Sequence, residues 1–150
     1  MSTIKQSLAL QMSQPLRILL IDDDADDRDI FTWIVKGIDP TLTLDLASDG
    51  FEGLDLLRQG DNYFDIVFLD LNMPGMHGLK VLKHIRQMER HRGTPVIVYS
   101  TSSNPHDVAN ARAEGATDYI VKGHELALAR KDLTQVLKKH DPRLTQAYGK

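Results

Sequence analysis

The run Ile66-Val67-Phe68-Leu69 is apolar at every position and stops abruptly at Asp70. Such a run reads as a strand buried on both faces, as in a parallel sheet covered by helices on each side. Asp70 then stands at the carboxyl end of the strand, the edge of an open α/β sheet where ligands bind. Pro74, Gly75 and Gly78 shape the loop that follows before the next helix begins. Taken alone, Asp70 reads as a nucleophile, as a metal ligand, or as an acid that merely ends a strand or caps a turn.

The rest of the chain repeats the pattern. Arg17-Ile18-Leu19-Leu20-Ile21 runs into Asp22-Asp23-Asp24, Val96-Ile97-Val98-Tyr99 into Ser100, and Asp118-Tyr119-Ile120-Val121 into Lys122. Leu42, Leu44 and Leu46 alternate with polar residues, as expected of a half-buried strand near a sheet edge. Between these runs, apolar residues recur at three- and four-residue spacing. They predict a helix over about 25–36 with Gly37 as its stop, and a short one from Asp49-Gly50 to Gly60. Further helices are predicted over about 79–90, from Asn104 or Pro105 to Gly115, and over about 125–140 with Leu126, Leu133, Val136 and Leu137 facing the core. Five strands alternating with five helices make an α/β fold, a parallel sheet with helices on both faces and right-handed crossovers.

At 150 residues the chain reads as one domain over 16–140, with an N-terminal extension over 1–15 and a polar, frayed tail over 141–150. The absence of cysteine excludes disulfides and thiolate metal sites. A net charge of −3 gives no basic footprint for nucleic acid. The apolar runs are far too short to span a membrane, and Met1 to Pro15 lacks the basic start and apolar centre of a signal peptide. A cytoplasmic location is the expectation.

If the sheet is parallel, every strand end points the same way. One edge then collects Asp22, Asp23, Asp70, Ser100 and Lys122. Three carboxylates held together repel one another, so one keeps its proton unless a cation compensates. A hard divalent ion with oxygen ligands suits the set, and Mg²⁺ fits because it takes a few carboxylates and retains waters that phosphate oxygens can replace. The result is a carboxylate nucleophile with a metal, an ammonium and a hydroxyl to hold a transferring phosphoryl group.

With these residues placed, the chain resembles a response regulator receiver domain of the chemotaxis-regulator type over roughly residues 16–140. The motifs that carry the likeness are Ile18-Leu19-Leu20-Ile21-Asp22-Asp23, Phe68-Leu69-Asp70-Leu71-Asn72-Met73-Pro74 with Gly78, Val98-Tyr99-Ser100, and Asp118-Tyr119-Ile120-Val121-Lys122. The resemblance implies a flavodoxin-like (βα)5 sandwich with strand order 2-1-3-4-5. It makes Asp70 the phosphoacceptor, Asp23 a direct Mg²⁺ ligand, Asp22 its neighbour acting largely through water, and Asn72 the donor of a backbone carbonyl to the metal. It makes Ser100 the switch hydroxyl, Lys122 its partner at the phosphoryl group, and Tyr119 the aromatic that turns inward. The implied donor is a histidine kinase. With no output domain in these residues, the implied outputs are a downstream protein, a further phosphotransfer, or a homodimer, through the face of the fourth helix, fifth strand and fifth helix. The Tyr-Ser-Thr-Ser-Ser wording resembles stand-alone receivers found beside phytochrome-like or hybrid histidine kinases.

The sequence departs from that family at Gly123, where proline in a cis bond usually follows the lysine. A non-proline cis bond costs about 2.5–4 kcal/mol, so a trans bond and a less rigidly aimed Lys122 are expected. Asp24, Asp26 and Asp27 add charge near the site, either attracting metal or supporting the helix N-terminus. The resemblance places Ser102, two positions after Ser100, where the family influences dephosphorylation, and its short hydroxyl implies no strong self-dephosphorylation. His77, His84 and His91 recur every seven residues and read as a solvated stripe. Met73 and Met76 read as loop and core packing. Two other functions compete: a Mg²⁺-dependent phosphohydrolase, which would want an acid where Asn72 stands, and a receiver-like interaction module that is never phosphorylated.

Overall fold

Alternate side chains on each buried strand face opposite ways, and this sorts the apolar residues into two layers. The computed structural model describes the backbone of residues 14–147 and the side chains of residues 14–144, so most of the expected N-terminal extension and the end of the expected tail lie outside the described residues. The strands are β1 (Arg17–Ile21), β2 (Thr43–Ala47), β3 (Ile66–Leu69), β4 (Val96–Ser100) and β5 (Asp118–Val121). All pairings are parallel, in the order β2-β1-β3-β4-β5. The helices are α1 (Ala25–Ile38), α2 (Gly50–Arg58), α3 (Gly78–Gln87), α4 (Pro105–Ala113), α5 (Leu126–His140) and a short α6 (Pro142–Ala147), with a 3₁₀ turn at Glu89–His91.

On one face, Ile18, Leu20, Ile66, Phe68, Ile97 and Tyr99 pack with Phe31, Ile34 and Val35 of α1 and Leu133 and Leu137 of α5. Their centre is aromatic, with the Phe31 and Phe68 rings edge-on at 4.9 Å. The other face packs Leu19, Ile21, Val67, Leu69 and Val96 against α2 and α3, and Met73 and Met76 join it from the loop after β3. Helix α4 contributes only Ala111 to a small third cluster with Leu71 and Val98. Side chains start the helices: Asp24 accepts from the Asp27 amide at 2.9 Å, Asp49 from Glu52 at 2.8 Å, and Asn104 from His106 at 2.9 Å.

Several local expectations are corrected. Helix α1 runs through Gly37 to Ile38 rather than stopping there. A Cβ on Gly37 would meet Arg130 Nη1 at 3.0 Å, so this glycine makes room for α5 instead of ending α1. Helix α3 ends at Gln87, and the 3₁₀ turn carries the chain to His91. His91 is no part of a solvated stripe: it is 2% exposed, with Nε2 3.0 Å from the Leu57 carbonyl and Nδ1 3.2 Å from Thr94 Oγ1. Leu126, the first residue of α5, is 51% exposed while Leu133 and Leu137 are buried, and Leu46 is exposed on the edge strand. The tail is not frayed from residue 141: Asp141 is buried, and Arg143 donates to it from Nε and Nη2 and to Asp39 from Nη2.

Candidate functional site

Strands β1, β3 and β5 end at the same edge of the parallel sheet, and backbone hydrogen bonds fix the residues just beyond them. The Asp22 amide donates to the Ala47 carbonyl, the Asp70 amide to the Ile21 carbonyl, and the Lys122 amide to the Ser100 carbonyl, at 3.0, 3.0 and 2.7 Å. The acids that follow β1 and β3 are thereby held side by side. Carboxylate oxygens of Asp22, Asp23 and Asp70 lie within 4.8 Å of one another. Asp22 and Asp70 are buried and Asp23 is exposed, so the cluster opens to solvent on one side.

The loop after Asp70 closes tightly against it. Gly78 donates to the Leu71 carbonyl at 2.8 Å, and a Cβ on Gly78 would collide with the Asp70 backbone. Gly75 sits at φ +85°, a conformation that glycine adopts without penalty. The turn residues read from the sequence thus shape the floor of the site.

Lys122 crosses the pocket from β5. Its Nζ donates to Asp22 Oδ2 at 2.6 Å and to Asp27 Oδ2 at 2.9 Å, and lies 3.9 Å from Asp70 Oδ2. The Tyr99 ring is 5.4 Å away on another side. Burial opposes the charge on Lys122, but the bonds to Asp22 and Asp27 and the charge of Asp70 outweigh it, and its pKa rises. Burial pushes the Asp70 carboxyl up to about 6; Lys122 opposes this and Asp22 adds to it, with smaller contributions from the Leu71 amide, which lowers it, and Asp23, which raises it. Three carboxylates therefore face one ammonium, and Asp23 adds a fourth negative charge beside Asp22 and Asp70. A hard cation would relieve that excess, and the all-oxygen donor set suits a divalent ion.

Ser100 is fully buried at the end of β4, and its Oγ accepts from the Ser102 amide at 3.2 Å. Ser102 donates its own hydroxyl to Asp107, and its carbonyl accepts from the Tyr119 hydroxyl at 2.8 Å. The structure therefore joins Ser100 to Tyr119 through one residue of the β4–α4 loop. Asn72 is exposed in the loop after β3. No cis peptide bond occurs among the described residues, so Lys122-Gly123 is trans as expected. What the sequence did not reveal is the pairing of Lys122 with Asp27, 95 residues away, since only the folded chain brings the first turn of α1 to the residue that follows β5.

Residues 18–142 match the response regulator receiver domain model. The chain belongs to the response regulator receiver family. Among its relatives, chemotaxis protein CheY-3 of Vibrio cholerae is 30% identical over 128 residues, covering 85% of this chain and 96% of that protein. The solved Mn²⁺-bound form of response regulator Rcp1 is 26% identical with a TM-score of 0.74, covering 83% of this receiver and 93% of that chain. RPA3017, a response regulator in red light signaling of R. palustris, is 30% identical with a TM-score of 0.73, covering 82% of this receiver and 92% of that chain. The flavodoxin-like order 2-1-3-4-5 expected from the resemblance is thus the order observed. Among the described residues no helix is long and apolar enough to cross a membrane.

Proposed function

We propose that this receiver takes a phosphoryl group from the phosphohistidine of a sensor histidine kinase onto Asp70 and signals through the consequent change of surface. The observation that carries this reading is the position of the Asp70 carboxylate, rigidly held at the end of β3 beside two further acids and 3.9 Å from an ammonium. In the transfer, an Asp70 oxygen bonds to phosphorus as the phosphorus–nitrogen bond breaks, and the electron pair returns to the imidazole. Asp22, Asp23, Asp70 and the Asn72 backbone carbonyl are the proposed ligands of Mg²⁺, which when bound would neutralise charge on the phosphoryl oxygens. Lys122 would donate to one of those oxygens and Ser100 to another.

The new charge draws Ser100, and the Ser100–Ser102–Tyr119 connection carries the change to the α4–β5–α5 face, for a downstream protein, a phosphotransfer partner or a second copy. The likeness to a regulator of red light signaling favours a kinase with light-sensing input. Asn72 at the position where a phosphohydrolase would want a general acid favours a switch over hydrolysis.

The test is incubation with Mg²⁺ and acetyl phosphate, followed by mass measurement of the wild type and Asp70→Asn. One added phosphoryl group, lost with Asp70→Asn, supports the reading. No adduct in the wild type leaves the unphosphorylated interaction module, and rapid turnover of phosphate esters leaves the hydrolase. Size measurement with and without beryllofluoride then tests self-association.

A further inference from the structure

We infer that Asp27 is a positioning residue, a tether on α1 that holds Lys122 back from Asp70 in the resting state. The inference rests on the phosphoacceptor reading of Asp70. An ammonium has three hydrogens to donate. Lys122 commits two of them, to Asp22 at 2.6 Å and to Asp27 at 2.9 Å, and stops 3.9 Å from Asp70. A charge-assisted bond to a phosphoryl oxygen needs about 2.7–2.9 Å. Engaging a phosphoryl group on Asp70 therefore means moving the ammonium and surrendering one of these bonds. Asp22 is buried beside Asp70 and belongs to the acid cluster. Asp27 is the looser partner, its side chain 37% exposed, and water can replace the lysine there.

The backbone beside Lys122 does not supply this restraint. The Lys122–Gly123 bond is trans, and a Cβ on Gly123 would meet nothing within 4 Å. The lysine head is fixed from the far side of the pocket instead. Asp27 is free for this task because the helix start uses other groups: Asp24 supplies the capping carboxylate, and Asp27 contributes only its amide to that cap. Asp27 thus sets how much a phosphoryl-like ligand must spend to recruit Lys122, which makes it a determinant of how readily the active state forms.

Two measurements on the full chain test this, with Asp26→Ala as a control that removes an exposed acid of the same helical turn. The first is labelling of Lys122 by an amine-reactive acylating reagent, read by peptide mass spectrometry. Asp27→Ala is expected to speed labelling of Lys122 severalfold and Asp26→Ala to leave it unchanged. The second is the beryllofluoride concentration for half saturation with Mg²⁺ present. Asp27→Ala is expected to lower it about two- to fivefold, the scale of one partly exposed ion pair. In a Lys122→Met background, Asp27→Ala is expected to have no such effect. Equal effects of Asp27→Ala and Asp26→Ala in both measurements, or a gain that survives Lys122→Met, overturn the tether and leave a general charge effect. Unchanged labelling of Lys122 in Asp27→Ala also overturns it. Faster labelling with no acyl phosphate on the wild type upholds the tether and overturns the phosphoacceptor reading instead.

Discussion

A Cβ placed on Gly78 would lie 2.2 Å from the carbonyl oxygen of Asp70 and 2.6 Å from the Cα of Leu71. The obstacle is backbone, so no side-chain rotation relieves it. Gly78→Ala is expected to cost roughly 1–3 kcal/mol, the scale of overpacking in a tight interior. It should also displace Asp70, and acyl phosphate formation should fall more than the loss of folded protein explains. Urea denaturation and acetyl phosphate labelling of the same samples check both effects.

Asp70 titrates near 6 in the folded protein against 3.8 for an ordinary aspartate, chiefly because it is buried. The folded protein then binds this proton more tightly than the unfolded chain. The contribution of Asp70 to stability therefore declines as pH rises from about 4 to about 6 and is level above that window. The ionised carboxylate is a burden at neutral pH, and Asp70→Asn is expected to stabilise the metal-free protein by about 1–3 kcal/mol there. Below about pH 4 the advantage should vanish. On the proposed metal site, Mg²⁺ would bind the folded acid cluster and should raise the stability of the wild type more than that of Asp70→Asn. Urea titrations across pH, with and without Mg²⁺, decide the matter; a wild type and variant that track each other throughout would show that Asp70 carries no such burden.

The buried strands and the residues at their ends were legible because each such strand is a short apolar run that stops at a polar residue, whereas the order of strands in the sheet came only from the family resemblance. Ile66–Leu69 before Asp70 and Ile18–Ile21 before Asp22 announce both the layer structure and the site. What was not legible depends on partners distant in sequence. Gly37 looks like a helix stop until Arg130 is placed beside it. Leu126 looks like core until the packing of α5 is known, which buries Leu133 and Leu137 and leaves the first residue of the helix exposed. Asp27 looks like first-turn decoration until β5 brings Lys122 to it. In each case local pattern and composition are neutral between the two readings, and tertiary contact chooses.

His91 illustrates the same limit with a measurable cost. Both ring nitrogens have partners, the Leu57 carbonyl and the Thr94 hydroxyl, and the ring is buried under the end of α2. His91→Ala removes the ring and strands a buried carbonyl, which costs about 1–3 kcal/mol for the unmet acceptor alone. A solvated histidine at the same position would cost close to nothing. His84→Ala, on the partly exposed face of α3, is the comparison, and the two melting curves should separate clearly.

Tyr119 and Ser100 meet at Ser102, and for the proposed switch that meeting predicts the effect of Tyr119→Phe. The Tyr119 hydroxyl donates to the Ser102 carbonyl at 2.8 Å, while the Ser102 amide donates to Ser100 Oγ at 3.2 Å. Tyr119→Phe removes one hydrogen bond on a half-buried ring, so the resting protein should lose only about 0.5–1.5 kcal/mol. The chemistry at Asp70 does not touch the ring, so the rate of acyl phosphate formation should stay near that of the wild type. Under the proposed relay from Ser100 through Ser102 to Tyr119, the response of the α4–β5–α5 face should shrink. Backbone amide shifts of residues 102–121, recorded with and without beryllofluoride, read this directly. Full-size shifts in Tyr119→Phe would show that Ser100 reaches the face by another route.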